Sequence, residues 1–383
     1  MKKLFCDGMI FDTDKKAFVR ADILTCDTKI IKIEEEVDIL EADEIVDCAG
    51  KYIIPGFVDV HSHGRTLHDF NTTDADGVAE LRASYAKVGT TTFMATLASA
   101  PKEDLFASMD AIAVNRDEMP GTATVGGVHL EGRYLCEKRR GAHATHLLAK
   151  PDAAEMNEFI DKMLPAPFHV SAALELADRD FFDAVISRGG TLGIAHSDAT
   201  YEEALTAIEN GASSFTHTFN AMRPIHHREP GNISAALLSD AYTEVICDGF
   251  HVNPAIVKML QRIKAPEKIV LITDSMEATG ATDGEYSIAG QKVFVVDGKA
   301  VNAEGAIAGS TLDMHTALRN YMKFCGLTLE EALPAATANP AKMVHLDAVC
   351  GKIVEGMRAD LLVIDSKDEI NIEAVYAAGG KVK

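Results

Sequence analysis

The chain has 383 residues, 47% of them hydrophobic and 25% charged, with no tryptophan. That is enough to bury a large core as one sizeable domain with a small companion, and no apolar run approaches the roughly 20 residues of a membrane span. Acidic residues outnumber basic ones 58 to 37, a formal charge of −21, which argues against nucleic acid and anionic membranes as partners.

The opening "MKKLFCDGMIFD" reaches Asp7 before a signal-like apolar region can form, so no export signal is expected. Seven scattered cysteines (Cys6, Cys26, Cys48, Cys136, Cys247, Cys325, Cys350) are odd in number and contain no C-x-x-C pair. They point to reduced thiols in a cytoplasmic protein, and away from a disulfide frame or a cysteine zinc site. Through the first fifty or so residues apolar and polar positions alternate, and segments such as "AFVRADILTC" and "KIIKIEE" read as short antiparallel strands. The last thirty residues repeat this pattern in "GKIVEG", "ADLLVID" and "EINIEAVYAAGGKVK". Neither end makes a stable sheet alone, so residues 1–54 and 350–383 are expected to pair into one small β-sandwich domain.

Residues 55–349 carry a different rhythm. Short apolar runs recur in "GFVDVH", "TTFMATL", "GGVHLEG", "FHVSAALE", "TLGIAHS", "SSFTHTF", "TEVICDG" and "KIVLITDS". Between them, "DADGVAELRASYAKVG", "DRDFFDAVISRGG", "TYEEALTAIENGA" and "NPAIVKMLQRIKAP" have helical period, several ending in glycine. Alternating strand and helix means a parallel sheet, and eight such units predict an α/β fold, a closed (β/α)8 TIM-like barrel. No G-x-G-x-x-G follows the first strand, which weakens a dinucleotide-binding alternative. After the eighth strand, "GEYSIAGQKVFVVDGKAVNAEGAIAGS" reads as an inserted β-hairpin that forms a lid.

Chemistry in such barrels sits at the C-terminal ends of the strands. The first predicted strand ends in His61 and His63, which share a face because side chains repeat every second residue. The third ends in Glu131, the fifth in His196, the sixth in His217 and the eighth in Asp274. Any one of these histidines alone reads as a hydrogen-bonded core residue. Four of them with two carboxylates on one rim read as a metal site suited to Zn, Fe, Mn or Co.

"PGFVDVHSHG" with these strand-end residues resembles the amidohydrolase superfamily. "HLEG", "KRRGAH", "GIAHSDA", "THTFNAMRPIHHREPG", "CDGFHV", "TDSMEATG", "AIAGSTLDM" and the tail "ATANPAKMVHLD" resemble its N-acetylglucosamine-6-phosphate deacetylase branch. The resemblance implies a metal-dependent deacetylase of a phosphorylated amino sugar, with one or two divalent ions per subunit and a homodimeric assembly. It implies that Glu131, His196 and His217 hold the main metal, and that His61 and His63 complete a second position with Glu131 between. It further implies that His143 contacts the substrate carbonyl and that Ala142, Asn220, Ala221, Arg228, His251, Ile307, Ala308 and Gly309 contact the substrate. The chain departs from the family pattern at Arg133, where proline is usual after "LEG", and at Ala144 and Thr145, where Asn-Pro is usual after "GAH". Both departures fall in the loop after the third strand.

Hydrolysis of a neutral acetamide needs an activated water, a donor for the developing oxyanion and a proton for the leaving amine. Asp274 is placed to take a proton from water and return it to nitrogen, and His143 to stabilise the oxyanion. "NAMRPIHHREPG" puts Arg223, His226, His227 and Arg228 within six residues. Arg223 reads as a solvated loop residue, His226 and His227 read either way, and Arg228 is assigned to the phosphate by the resemblance. Cys247 reads as a packed core thiol. Two alternatives compete: the same hydrolysis on another N-acyl sugar, an N-acyl amino acid or a cyclic amide, and a catalytically silent barrel used for binding. Non-phosphorylated substrates would not require Arg228, and a silent barrel would have lost ligands, which this chain has not.

Overall fold

Strand and helix alternate from Phe57 onward, as the apolar rhythm requires, in a computed structural model that describes residues 1–382; Lys383, the last residue of the predicted β-domain, lies outside the described residues. Eight parallel strands pair in consecutive order: β1 (Phe57–Ser62), β2 (Thr90–Ala98), β3 (Thr124–Glu131), β4 (Phe168–Ala172), β5 (Thr191–Ile194), β6 (Ser214–Phe215), β7 (Tyr242–Ile246) and β8 (Ile269–Ile272). Every residue of these strands is buried, which is why they read as near-continuous apolar runs. Helices α1 (Ala75–Lys87), α2 (Lys102–Ala113), α3 (Ala153–Met163), α4 (Arg179–Ile186), α5 (Tyr201–Glu209), α6 (Gly231–Leu238), α7 (Pro254–Ile263) and α8 (Met314–Cys325) alternate with them. Their starts follow local chemistry. Asp74 and Asp178 cap α1 and α4, Thr200 and Glu203 form a capping box on α5, and Asn253 caps α7 ahead of Pro254.

The barrel closes where β1 meets β8. Asp274 N donates to His61 O at 2.9 Å, and His63 N donates to Ser275 O at 2.8 Å. Asp59, fully buried on β1, accepts from Thr273 Oγ1 at 2.6 Å and from Thr273 N at 3.3 Å. Burial raises the Asp59 carboxyl to about 6, and these donors with His61 N work against that rise. The same seam that shuts the barrel therefore fixes the backbone of His61, His63 and Asp274.

Both chain ends contribute to one β-sandwich, the companion of the (β/α)8 barrel. A four-stranded sheet runs in the order Lys29–Glu34, Asp22–Cys26, Lys2–Cys6, Glu44–Asp47. A six-stranded sheet runs Gly380–Lys381, Ile372–Ala377, Leu361–Ile364, Tyr52–Pro55, Met9–Asp12, Ala17–Arg20. Phe5 and Ile23 from the first sheet share a core with Ile10, Ile53, Leu361 and Tyr376 from the second. The opposite face of the six-stranded sheet, with Phe11, Ile54, Leu362 and Val375, packs into the barrel's own core.

Four details differ from the sequence reading. "AFVRADILTC" is two strands, because the chain changes sheets at Ala21: Ala17–Arg20 pairs with Met9–Asp12, and Asp22–Cys26 with Lys2–Cys6. Two of the terminal pairings, Lys2–Cys6 with Glu44–Asp47 and Met9–Asp12 with Tyr52–Pro55, are parallel. "GKIVEG" is not a strand. Gly351 and Gly356 bracket it at φ of 88° and 86°, and Glu355 meets the neighbouring strand through its side chain, accepting from Ile33 N at 2.8 Å. The insertion after β8 is a three-stranded meander, Gly284–Ile288, Gln291–Val296 and Lys299–Asn302. Its second turn is Asp297-Gly298, with both residues at positive φ, an Asp-Gly hairpin signal that a single-hairpin reading passes over.

Candidate active site

The six residues predicted at the strand ends converge. Glu131 is the pivot, and its two oxygens face different partners. Oε1 lies 2.9 Å from His217 Nε2 and 3.4 Å from His196 Nε2, which are themselves 3.1 Å apart. Oε2 lies 3.1 Å from His63 Nε2 and 3.4 Å from His61 Nε2. Asp274 Oδ1 completes that second group, 3.2 Å from His63 Nε2 and 3.4 Å from His61 Nε2. His196, His217 and Asp274 take backbone φ of 45°, 30° and 50° just beyond their strands. Such left-handed conformations cost on the order of 1–3 kcal/mol each for residues with a side chain, and they gather where function requires a particular aim.

Donor atoms of a tetrahedral site with bonds of about 2.0–2.2 Å stand roughly 3.3–3.6 Å apart. The donor separations of 2.9–3.4 Å lie within that range or a few tenths of an ångström below it, so each group could take a divalent ion, and the donor chemistry is imidazole and carboxylate throughout. His61 Nε2 is a buried nitrogen with no hydrogen-bond partner among the described residues, which suits it to ligate a cation. His143 also comes within 4.8 Å of Glu131 and His196. Its Nδ1 is engaged by Ser99, however, and the shorter His217 contacts make His217 the better third donor.

Outer contacts set which ring nitrogen is free. His196 Nδ1 lies 2.8 Å from Arg139 O, a pure acceptor, so the proton sits on Nδ1 and the lone pair on Nε2. Ser99 N approaches His143 Nδ1 at 3.4 Å as a donor, which leaves the His143 proton on Nε2. Burial, with the neighbouring His196, pushes the His143 imidazole down to about 3, so it is a neutral donor. Burial opposes charge on His63, but Asp274 and Glu131 outweigh it and raise the ring to about 9. Burial likewise opposes ionisation of Asp274, and the His63 hydrogen bond with the charges of His61 and His63 holds it at about 2. A cation bound between these groups would take over the role those imidazolium charges play. His251 is held by Asp248 Oδ2 at 2.6 Å from its Nδ1, and its Nε2 lies 3.9 Å from Asp274 Oδ2.

This cluster floors a cavity of about 290 Å³. Of the predicted substrate contacts, Ala142, His143, Asn220, Ala221, His251, Ile307, Ala308 and Gly309 all line it. Arg228 does not. It is exposed, with Nη1 2.6 Å from His227 Nε2, on a loop whose residues Ile225–Glu229 are all exposed. No lysine or arginine lines the cavity among the described residues. Arg133, Ala144 and Thr145, where the chain departs from the family pattern, are not in the lining either, and Arg133 turns its Nε toward Glu155 at 3.3 Å. Cys247 is fully buried and burial pushes its thiol well up, as a packed core residue requires; all seven cysteines are free.

Sequence reasoning missed several contributors. Ile288, Ala289 and Gln291, at the first turn of the meander, also line the cavity. Asp69 fastens that turn, accepting from Ala289 N at 2.7 Å and from Asn71 N at 2.7 Å. Ser99, Asp248 and Glu244 lie within hydrogen-bond distance of His143, His251 and His61. The available signal for Glu244 was a lone carboxylate within the apolar run "TEVIC", a residue type almost never buried without a partner.

An eight-stranded parallel barrel with imidazoles and carboxylates gathered at its C-terminal rim defines a class, the hydrolytic barrels built around divalent metal ions. The chain belongs to the amidohydrolase family, whose profile matches residues 52–382. It is 33% identical over 350 residues to an N-acetylglucosamine-6-phosphate deacetylase of Lysinibacillus sphaericus, covering 90% of this chain and 89% of that one. It is 31% identical to an N-acetylgalactosamine-6-phosphate deacetylase of Escherichia coli O157:H7, covering 85% and 86%. Among solved structures, a mutant N-acetyl-D-glucosamine-6-phosphate deacetylase from Mycobacterium smegmatis, in complex with N-acetyl-D-glucosamine-6-phosphate, superposes with a TM-score of 0.89 at 32% identity, covering 100% and 99%.

Proposed function

We propose that this chain hydrolyses the acetamide of N-acetylglucosamine-6-phosphate to glucosamine-6-phosphate and acetate, as a cytoplasmic homodimer. The observation that carries the reading is Glu131, one carboxylate facing two complete donor groups on the floor of a cavity sized for a single sugar. Family membership and the names of the relatives support the substrate. The free cysteines support the compartment.

Glu131, His196 and His217 would hold the principal ion, and His61 and His63, with Glu131 and Asp274, a second. A divalent ion bound there supplies an activated water near neutral pH and polarises the acyl carbonyl. The His143 Nε2 proton donates to the acyl oxygen as it gains charge, a contribution worth about 3–4 kcal/mol from a well-placed donor. Asp274 accepts a proton from the attacking water. As the carbon–nitrogen bond breaks it passes that proton to nitrogen, which leaves as the free amine beside acetate. His251, braced by Asp248, and Asn220 offer hydrogen bonds to the sugar, while Ala142, Ala221 and Ile307 to Gly309 shape the wall. A phosphate dianion needs a fixed cation, and among the described residues the cavity wall offers no lysine or arginine. Arg228 from the second subunit would provide it.

The galactosamine-type relative favours a second reading that differs only at one hydroxyl of the sugar. Acetate release should be measured on N-acetylglucosamine-6-phosphate, its galacto epimer and both unphosphorylated sugars. The proposal expects the gluco phosphate to have the highest kcat/KM. A higher value for the galacto epimer would move the assignment to it, and equal turnover of unphosphorylated sugars would remove the phosphate from the reading.

A further inference from the structure

We propose that Glu244 on β7 is the positioning residue that makes His61 a competent ligand and ties the two halves of the site together; the inference rests on the two-part cation site proposed above. Glu244 is fully buried inside the barrel, beneath the cavity and not in its lining. One oxygen, Oε2, lies 3.2 Å from His61 Nδ1 and also accepts from His217 N at 3.2 Å. Among the described residues the other, Oε1, has no hydrogen-bond partner, and the basic atom facing it is His169 Nε2 at 3.8 Å, itself without one. A barrel strand fills such a position with an aliphatic side chain unless something compensates the large cost of burying a carboxylate. The compensation here is contact with two candidate ligands.

The consequence for His61 follows from valence. A carboxylate only accepts, so the neutral imidazole facing it carries its proton on Nδ1 and its lone pair on Nε2. Nε2 is the atom that faces Glu131 Oε2 and Asp274 Oδ1 and has no hydrogen bond. His129 packs edge-on against the His61 ring, centroids 4.6 Å apart, but its own nitrogens are taken by Thr96 Oγ1 and Ser171 Oγ, so it offers His61 no acceptor. Each half of the site thus has one anchored imidazole: His196 by a backbone carbonyl and His61 by Glu244. Because the same Oε2 accepts from His217 N, a displacement of Glu244 is felt in both halves, more strongly in the half where it holds a ring.

Metal-free protein should be titrated with zinc against a chromophoric chelator in three forms: wild type, Glu244→Ala and Glu244→Gln. Wild type is expected to take up two equivalents. Glu244→Ala should weaken the second roughly 10- to 100-fold while the first changes much less, the range typical of lost outer-sphere partners. Glu244→Gln, whose amide oxygen still accepts from Nδ1, should recover most of that loss. Equal affinity for both equivalents in Glu244→Ala overturns the inference, as does a Glu244→Gln defect as large as that of alanine. A wild type that takes up only one equivalent, unaffected by either substitution, also overturns it. If the alanine variant does not fold, nitrogen-15 spectra of the wild-type His61 ring decide the matter directly: a proton on Nδ1 in the zinc-loaded protein supports the inference, and one on Nε2 refutes it. If wild type takes up no zinc at all, the cation reading fails on its own. The same ring measurement on metal-free protein still judges the hold of Glu244: a proton retained on Nδ1 supports it, and an unprotonated Nδ1 refutes it.

Discussion

Replacing Arg228 by alanine tests both the phosphate assignment and the dimer. Among the described residues of one chain no lysine or arginine lines the cavity, and Arg228 stands exposed on its loop beside His227. If Arg228 closes a neighbouring subunit's site, the substitution removes a charge-assisted contact worth about 2–3 kcal/mol at a partly wetted rim. At 1.36 kcal/mol per decade this is roughly a 30- to 150-fold loss of kcat/KM. The loss should fall on the 6-phosphorylated sugar and barely touch its unphosphorylated counterpart. Mixing Arg228→Ala chains with Asp274→Asn chains separates the two geometries. In a two-fold dimer each mixed pair has one site with both lesions and one with neither, so random exchange of equal amounts restores about a quarter of the wild-type sites. The assay is acetate release after subunit exchange, with mixed dimers verified by differential tagging. No recovery in verified mixed dimers places Arg228 in its own chain's site. An Arg228→Ala protein that hydrolyses both sugars like wild type refutes the phosphate role.

Asp274→Asn should keep the fold and the principal ion but lower kcat about 10²- to 10⁴-fold, the usual worth of a positioned acid–base group; turnover within tenfold of wild type at equal occupancy of the principal ion would remove Asp274 from proton transfer. His61→Ala combined with His63→Ala should cost one of two bound ions by elemental analysis, whereas Glu131→Ala should cost the principal one; a single ion in wild type and double variant alike argues for a one-metal site. Lys264 supplies a pH test away from the chemistry. Its Nζ donates at 2.7 Å to Ala236 O and Ser239 O at the end of α6, and burial lowers it to about 8. Because that value lies below the unfolded one of about 10.4, the fold bears the full cost of charging Lys264 below about pH 8 and is relieved of it as pH rises toward 10.4. Wild type should therefore gain on the order of 3 kcal/mol over Lys264→Met across that window in denaturant unfolding, and a flat difference would show the ammonium is not destabilised.

What was legible in the sequence was whatever local period could carry. His61 and His63 declare a shared face because a strand repeats every two residues, and His196, His217 and Asp274 declare a rim because each follows a short apolar run. The sheet change at Ala21 and the two parallel pairings were not legible, because pairing partners are chosen by contacts between distant segments and not by alternation within one. "GKIVEG" alternates like a strand, yet its bracketing glycines at positive φ and the side chain of Glu355 make it a clasp on the edge of the Lys29–Glu34 strand. The site divides in the same way. Its inward-pointing donors are located by local pattern, but the atoms that fix their tautomers come from elsewhere: Arg139 O for His196, Ser99 for His143, Asp248 for His251, and Glu244, 183 residues from its partner, for His61. A donor set recognised from its own residues establishes that a site can exist. Whether its rings present the right nitrogen depends on these outer partners. A chain with all six strand-end residues intact but Glu244 replaced by an aliphatic residue would look unchanged by motif and, on the argument above, bind its second ion far more weakly.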